Sequence, residues 1–256
     1  MDNATFAAEA AFEAHHWWFV GRRVLFSQII KRLGLSRNAA VLDVGTSTGT
    51  NLRMLRAMGF VDVTGLDQSE EAIRFCAEKG LGRVQRGDVC SLPFSDNSFD
   101  LVLATDVLEH VSADTVAMAE VRRVVRPQGY VLLTVPTFPL LWGLQDNVAH
   151  HLRRYRLREL LEKLKAAGLQ PRNYFYFNYL LFVPILVARQ LIRLLRIRVS
   201  SEGELNPTWL NHLLLAVFMI DIKTAGWLRP PFGVSGLVVA TPCPSMSGSE
   251  DKVRTA

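Results

Sequence analysis

Cysteine is scarce in this chain. There are three, Cys76, Cys90 and Cys243, and none stand in C-x-x-C spacing. An odd, scattered set excludes a disulfide framework and fits a reducing compartment. The opening, "MDNATFAAEAAFEAHH", lacks a basic region followed by an apolar run, so no secretory signal is expected. Long apolar runs are missing too. "YFYFNYLLFVPILVA" comes nearest, but it is shorter than a spanning helix needs and contains Pro184. A cytoplasmic protein is expected. Net positive charge is confined to one segment. Residues 146–198 hold eleven Lys/Arg against three Asp/Glu, a local +8 that leaves the rest of the chain at −3. That segment points to a local anionic partner, either a lipid surface or a phosphate-bearing substrate. No aromatic-interleaved basic module accompanies it, so nucleic acid is not expected.

What is present is enough for a sizeable core. Of 256 residues, 49 % are apolar and 21 % charged, which suits one α/β domain with decoration. "AAVLDVG", "VDVTGLD", "GRVQRGD", "FDLVLATD" and "YVLLTVP" read as successive strands. Helical patterns separate most of them: "TNLRMLRAMGF", "QSEEAIRFCAEKG" with Ser69 as N-cap, and a stretch from about Ser112 to Val125. "VLFSQIIKRLG" precedes this series as a helix ending at Gly34, and "ELLEKLKAAG" follows it. The alternation predicts a parallel, doubly wound sheet with its site at the carboxyl ends of the strands. From about 178 to 232 the rhythm breaks into an apolar, Arg-studded stretch, before a last strand in "GVSGLVVAT". The tail 243–256 is small and polar and is expected to fray.

"VLDVGTSTG" is the most informative run. A strand ends at Asp43, a loop carries Gly45, Ser47 and Gly49, and a helix begins. Small residues there let a ligand approach the backbone, and the helix N-terminus favours an anion. A dinucleotide fingerprint needs glycine where Ser47 and Thr50 stand. Residues 45–49 also match G-x-S-x-G, the nucleophile elbow of serine hydrolases, although that elbow normally follows several strands. The third match is D-x-G-x-G-x-G with Ser47 in place of the middle glycine.

The loop has company further along. Asp67 ends the second strand, where a carboxylate can accept from two ribose hydroxyls. Asp88 and Val89 in "RGDVCSLPF" follow the third, and "FDLVLATDVLEHV" forms the fourth strand and its exit. In order, spacing and wording, residues 40–136 resemble the class I S-adenosylmethionine-dependent methyltransferases. "HHWWFVGRR" and "HLRRY" resemble segments of a bacterial branch of that family (type-11/type-23-like). The resemblance implies a Rossmann-like, doubly wound sheet of seven strands with an α-helical insertion before the last one. The domain would comprise 1–177 and 233–242, and the insertion 178–232. It also implies S-adenosylmethionine as cofactor, contacted by Asp43, Gly45, Ser47, Gly49, Asp67, Asp88 and Val89. A protein that keeps this pocket without catalysis is the alternative.

"QDNVAHHLRRYR" follows the fifth strand, at the rim above that pocket. His150 and His151 are adjacent. They point about 100° apart on a helix and to opposite faces on a strand, so they cannot readily share a metal, and none is expected. The resemblance makes the run an active-site wall. His151 would be a general base and Arg153 a clamp for a carboxylate or phosphate, with Tyr155 orienting them. His110 in "LEHV" is the rival base. The paired tryptophans in "HHWWFVGRR" form either a lid or a helix packed on the sheet. Arg189, Arg193 and Arg196 share one face of "VARQLIRLLRIR" among leucines and isoleucine. That pattern reads as a membrane-surface helix, or as a helix packed on the core or on a second subunit. The expected reaction is methyl transfer, with an oxygen of a hydrophobic, lipid-linked or saccharide acceptor preferred over nitrogen or carbon.

Overall fold

The structure, a computed structural model, describes residue 6 and residues 10–194 and 207–243. Helix α1 (Trp17–Arg32) leads into β1 (Val41–Val44), α2 (Thr50–Ala57), β2 (Val63–Asp67), α3 (Glu70–Glu78) and β3 (Val84–Arg86). Then come β4 (Phe99–Thr105), α4 (Asp114–Val124), β5 (Val125–Pro136), the short α5 (Leu144–Val148), α6 (Leu157–Ala166) and β6 (Leu169–Phe177). The insertion supplies α7 (Phe182–Leu194) and α8 (Thr208–Leu228), and β7 (Ser235–Pro242) closes the sheet.

The seven strands lie in the order β3-β2-β1-β4-β5-β7-β6. β1 to β5 are parallel, as the alternation predicts. β7 corrects the expectation of a wholly parallel sheet, because it runs antiparallel to both β5 and β6. β6 has no counterpart among the strands read from the sequence. Its in–out alternation is broken by a register shift between Pro171 and Asn173, and its aromatic end merges with the apolar run that follows. Pro171 is tolerated because β6 is an edge strand, where a missing N–H costs little.

The central strands are buried along their length, so the sheet has a core on each face. On one, Leu42, Val102 and Leu133 pack against Ala117 and Val121 of α4 and Leu160 of α6. On the other, Leu101, Leu103 and Leu132 meet Phe26 of α1, Leu55 of α2 and Phe218 of α8. The second half of the insertion is therefore part of the core layer. Asp221 of α8 ties it down, accepting from the backbone N–H of Asn178 (2.7 Å) and Leu180 (2.9 Å) just after β6. Trp18 stacks on Phe218 at 5.4 Å between ring centroids, and on Phe177 at 6.0 Å. Helix α1 thus packs on the sheet and on α8.

One arginine of the amphipathic stretch, Arg189, is turned inward, and a second, Arg193, is exposed but tied to the loop after β5. Arg189 is bonded to Leu141 O and reaches Asp146, and Arg193 donates to Trp142 O at 2.9 Å. Arg196 lies outside the described residues. The outer face of α7 is instead apolar, with Val183, Val187, Leu191 and Leu194 exposed. Among the described residues no helix is long and apolar enough to cross a membrane.

Candidate active site

The carboxyl ends of β1 to β5 open into one cleft of about 1430 Å³, which α1 and the two insertion helices also line. Its strand ends are polar. Gly45 has φ +69°, and a Cβ there would come within 2.5 Å of Val107 Cγ2. Ser47 follows at φ 49°, also left-handed, where a non-glycine side chain is strained. The strain is held by Asp67, whose Oδ2 accepts from Ser47 N and whose Oδ1 accepts from Ser69 N, both at 2.9 Å. A carboxylate has about four acceptor positions, so Asp67 keeps capacity for a ligand. Asp88 takes the Cys90 N–H at 2.8 Å beside Val89, and both residues line the cleft. Two carboxylates at neighbouring strand ends, with a glycine-tight loop at the next strand end, fit a nucleoside-bearing cofactor.

Asp43 and Gly49 stand behind this wall. Asp43 is wholly buried, accepts from Asn51 Nδ2 at 3.0 Å, and has no partner on Oδ2 among the described residues. Burial, with Asp67 nearby, pushes its carboxyl up to about 7. Gly49 caps α2 at φ 83°, and a Cβ would run into Leu81 and Cys76, so its smallness serves packing against α3. Glu13, ahead of α1, closes the same loop from outside. It bonds Thr48, Thr50 (2.8 Å) and Lys79 (2.9 Å), although burial opposes its ionisation.

The outer polar wall comes from the exits of β4 and β5. His151 and His110 meet edge to face, with ring centroids 4.8 Å apart. His151 Nδ1 lies 2.8 Å from Asp146 Oδ1, which leaves Nε2 toward the cleft and 4.0 Å from Glu109 Oε1. Burial would raise the Asp146 carboxyl, but His151, Arg154, the Gly143 N–H and Arg189 outweigh it and hold it at about 2. Burial and the neighbouring His151 push His110 down to about 4, so its ring is neutral near pH 7. Both histidines line the cleft.

Arg153 does not. It turns away to Asp114 (3.1 Å) and Ser112 O (3.0 Å) and is not part of the cleft lining. Its neighbour Arg154 takes the inward position, buried, with bonds to Asp146 (2.7 Å), Thr137 O (2.9 Å) and Val234 O (3.1 Å). The cause is the parallel bridge between Thr137 and Tyr155, which fixes the direction of alternate side chains through this extended segment. Tyr155 is fully buried on Asp114 (2.7 Å) and Leu108 O (3.2 Å), so Asp146, not Tyr155, orients His151.

Three cleft residues escaped the sequence reading. Arg22 joins α1 to the exit of β4 through Asp106 at 2.7 Å. Asp146 was visible as the acid that opens the His/Arg run. Glu109 was visible in "LEHV", next to His110.

Comparison with known proteins agrees with this architecture. Residues 42–133 match the Methyltransf_11 family, described as a methyltransferase domain. A demethylmenaquinone methyltransferase of Staphylococcus aureus is 32 % identical over 146 residues, covering 52 % of this chain and 58 % of its own length. The chain thus spans little more than half of the curated relatives it matches. Among solved structures, a methyltransferase in complex with the Haloferax volcanii Trm112 activator superposes with TM-score 0.63 at 20 % identity, over 94 % of this chain and 95 % of its own. A TehB-like S-adenosylmethionine-dependent methyltransferase from Corynebacterium glutamicum gives 0.51 at 20 % identity, over 87 % of each chain. These last two speak to the fold.

Proposed function

Given that the chain is built on a class I S-adenosylmethionine-dependent methyltransferase domain, we propose that it transfers a methyl group to an oxygen of a hydrophobic acceptor, such as a lipid-linked molecule. The observation that carries the acceptor's chemistry is the lining of the cleft, to which α1 and the two insertion helices add Trp17, Trp18, Ile185, Ile192, Leu210 and Leu214 beside the polar strand ends. An apolar body is held there by burial, worth roughly 25 cal/mol per Å². A quinone-type acceptor, as in the name of the Staphylococcus aureus relative, suits such a wall.

In this reading the cofactor lies over Gly45 and Ser47. Asp67 takes the ribose hydroxyls, and Asp88 and Val89 meet the adenine edge. Asp43 and Gly49 hold the loop from behind. The bound cofactor supplies a methyl group already activated on sulfur. The chain's residues align the acceptor and handle its proton. Asp146 fixes the tautomer of His151, so that Nε2 faces the acceptor as a proton acceptor. His110, neutral and alongside, shapes the same wall. The exposed valines and leucines of α7 border this apolar lining and rest on a membrane surface from which the acceptor is drawn.

Calorimetry with S-adenosylmethionine, followed by a methyl-label search of lipid, saccharide and protein fractions, tests the proposal. Cofactor binding, at least tenfold weaker in Asp67→Ala, and label in the lipid fraction are expected. Label confined to protein would overturn the acceptor class. Loss of turnover in Ser47→Ala with no effect of Asp67→Ala would point to a hydrolase.

A further inference from the structure

Glu109 is the unexplained group of the cleft. It is fully buried, yet neither carboxylate oxygen has a hydrogen-bond partner among the described residues. Buried carboxylates are normally paired or bound to a cation, because loss of hydration is otherwise uncompensated. The Arg22 and Arg154 guanidiniums favour its charge without bonding it, and two imidazoles stand beside it. One candidate ligand atom from each of Glu109, His110 and His151 lies within 4.8 Å of the others. The two histidines come from the exits of different strands, so this constellation differs from the adjacent His150–His151 pair that the sequence brings to notice.

We propose that Glu109, His110 and His151 bind one divalent first-row transition-metal ion at the inner wall of the cleft. Two imidazoles and one carboxylate are a ligand set such ions take, with positions left for oxygen. Ligand atoms about 2.1 Å from a tetrahedral ion stand about 3.4 Å apart, so binding asks for side-chain shifts on the order of 1 Å. The scaffold for that closure is present. Leu152 N donates to Glu109 O at 2.8 Å, which laces the two strand exits together, and His151 N donates to Asp146 O at 2.8 Å within the β5 exit. Asp146 on His151 Nδ1 is the supporting carboxylate that metal-binding histidines regularly have, and it aims Nε2 at Glu109.

The ion faces the space assigned above to the acceptor, so its catalytic use rests on the methyltransferase reading. An acceptor hydroxyl bound to it is acidified and gives its proton to solvent. The oxygen pair then forms the O–CH3 bond, and the C–S pair returns to sulfur as a thioether. His151 then acts as a ligand, and the ion does the work of a base.

The test needs no acceptor. Chelator-treated wild-type protein is titrated with Mn²⁺, followed by electron paramagnetic resonance, and with Co²⁺, followed by its visible spectrum. One ion per chain is expected, and Co²⁺ should show nitrogen and oxygen ligation without thiolate. Glu109→Gln and His110→Asn should each weaken binding by about a hundredfold or more. S-adenosylmethionine binding and the melting curve report that each variant is folded. If one variant fails to fold, the other decides. A folded, cofactor-binding wild type that takes up neither ion overturns the site, as does equal affinity in the folded variants. Ion binding with these losses, in a chain that labels no acceptor, would leave the site standing and overturn the methyltransferase reading.

Discussion

Asp146 Oδ1 lies 2.8 Å from His151 Nδ1 and 2.7 Å from Arg154, so one buried carboxylate both aims the candidate catalytic histidine and neutralises the arginine behind it. Chemistry and stability meet at this residue. His151→Asn keeps a polar side chain but loses the Nε2 lone pair directed at the cleft. Turnover should fall by about 10²–10⁴, with S-adenosylmethionine affinity unchanged, because the cofactor residues lie at other strand ends. Single-turnover rates beside calorimetry check this. Intact turnover here, with loss in His110→Asn, would move the role to His110.

The neighbouring arginines should separate sharply. Arg154→Ala leaves Asp146 without its closest buried cation and the Thr137 carbonyl without a donor, so a loss of about 3 kcal/mol or more is expected. Arg153→Ala breaks a partly exposed pair with Asp114 and should cost about 1 kcal/mol or less. Urea unfolding of both variants decides it. Comparable losses would mean that Arg154 is not the buried member of the pair.

Much of this site was legible because it is local. Asp43, Gly45, Ser47, Asp67, Asp88 and Val89 each end or follow a strand, and strand ends can be read from apolar runs. The direction of Arg153 against Arg154 was not legible, since it depends on the bridge between Thr137 and Tyr155. The pairing of His110 with His151 was hidden for the same reason, as it depends on which strand exits are neighbours. Strand β6 was masked by its own composition: Arg172 and Asn173 interrupt the alternation, and the aromatics read as the start of the insertion.

Asp43 sets a pH dependence. Its folded-state pKa is raised to about 7 by burial, above an ordinary value of about 3.9. The folded protein therefore holds this proton more tightly than the unfolded chain. The associated stability is present below the unfolded value and is lost as pH rises through the folded one. Asp43→Asn cannot ionise, so relative to wild type it should gain thermal stability as pH rises from about 4 to about 7. Parallel melting profiles of the two proteins across that window would show that Asp43 does not titrate there.

Gly21 should be intolerant of any side chain. It sits in the middle of α1, where alanine is normally the better helix former by about 1 kcal/mol. Here a Cβ would overlap the ring of Phe218, which is itself fully buried between α1 and the sheet. Gly21→Ala should therefore destabilise by about 1–3 kcal/mol instead of stabilising. Because Trp17 and Trp18 pack on the same ring, it should also shift tryptophan fluorescence. Phe218→Leu in the same chain should recover part of the loss. A more stable Gly21→Ala protein would show that α1 and α8 do not pack this closely.

The outer face of α7 decides how the protein meets lipid. The sequence suggested arginines on anionic head groups, but Arg189 and Arg193 are occupied by Leu141 O, Asp146 and Trp142 O. Valines and leucines are what this face offers. Membrane contact through them is driven by burial in the acyl boundary and is only weakly screened by salt. Full burial of one leucine contributes about 1.5–3 kcal/mol, so changing Leu191 and Leu194 together to serine should weaken vesicle binding by about 3 kcal/mol or more, over a hundredfold. Arg189→Gln with Arg193→Gln should leave vesicle binding nearly intact and lower the melting temperature instead, because the loop after β5 loses its donors. Co-sedimentation with neutral and anionic vesicles, at low and high salt, separates the two modes. Binding that needs anionic lipid, vanishes in high salt and follows the arginines would restore the electrostatic mode, and a wild-type protein left in every supernatant would end the membrane proposal.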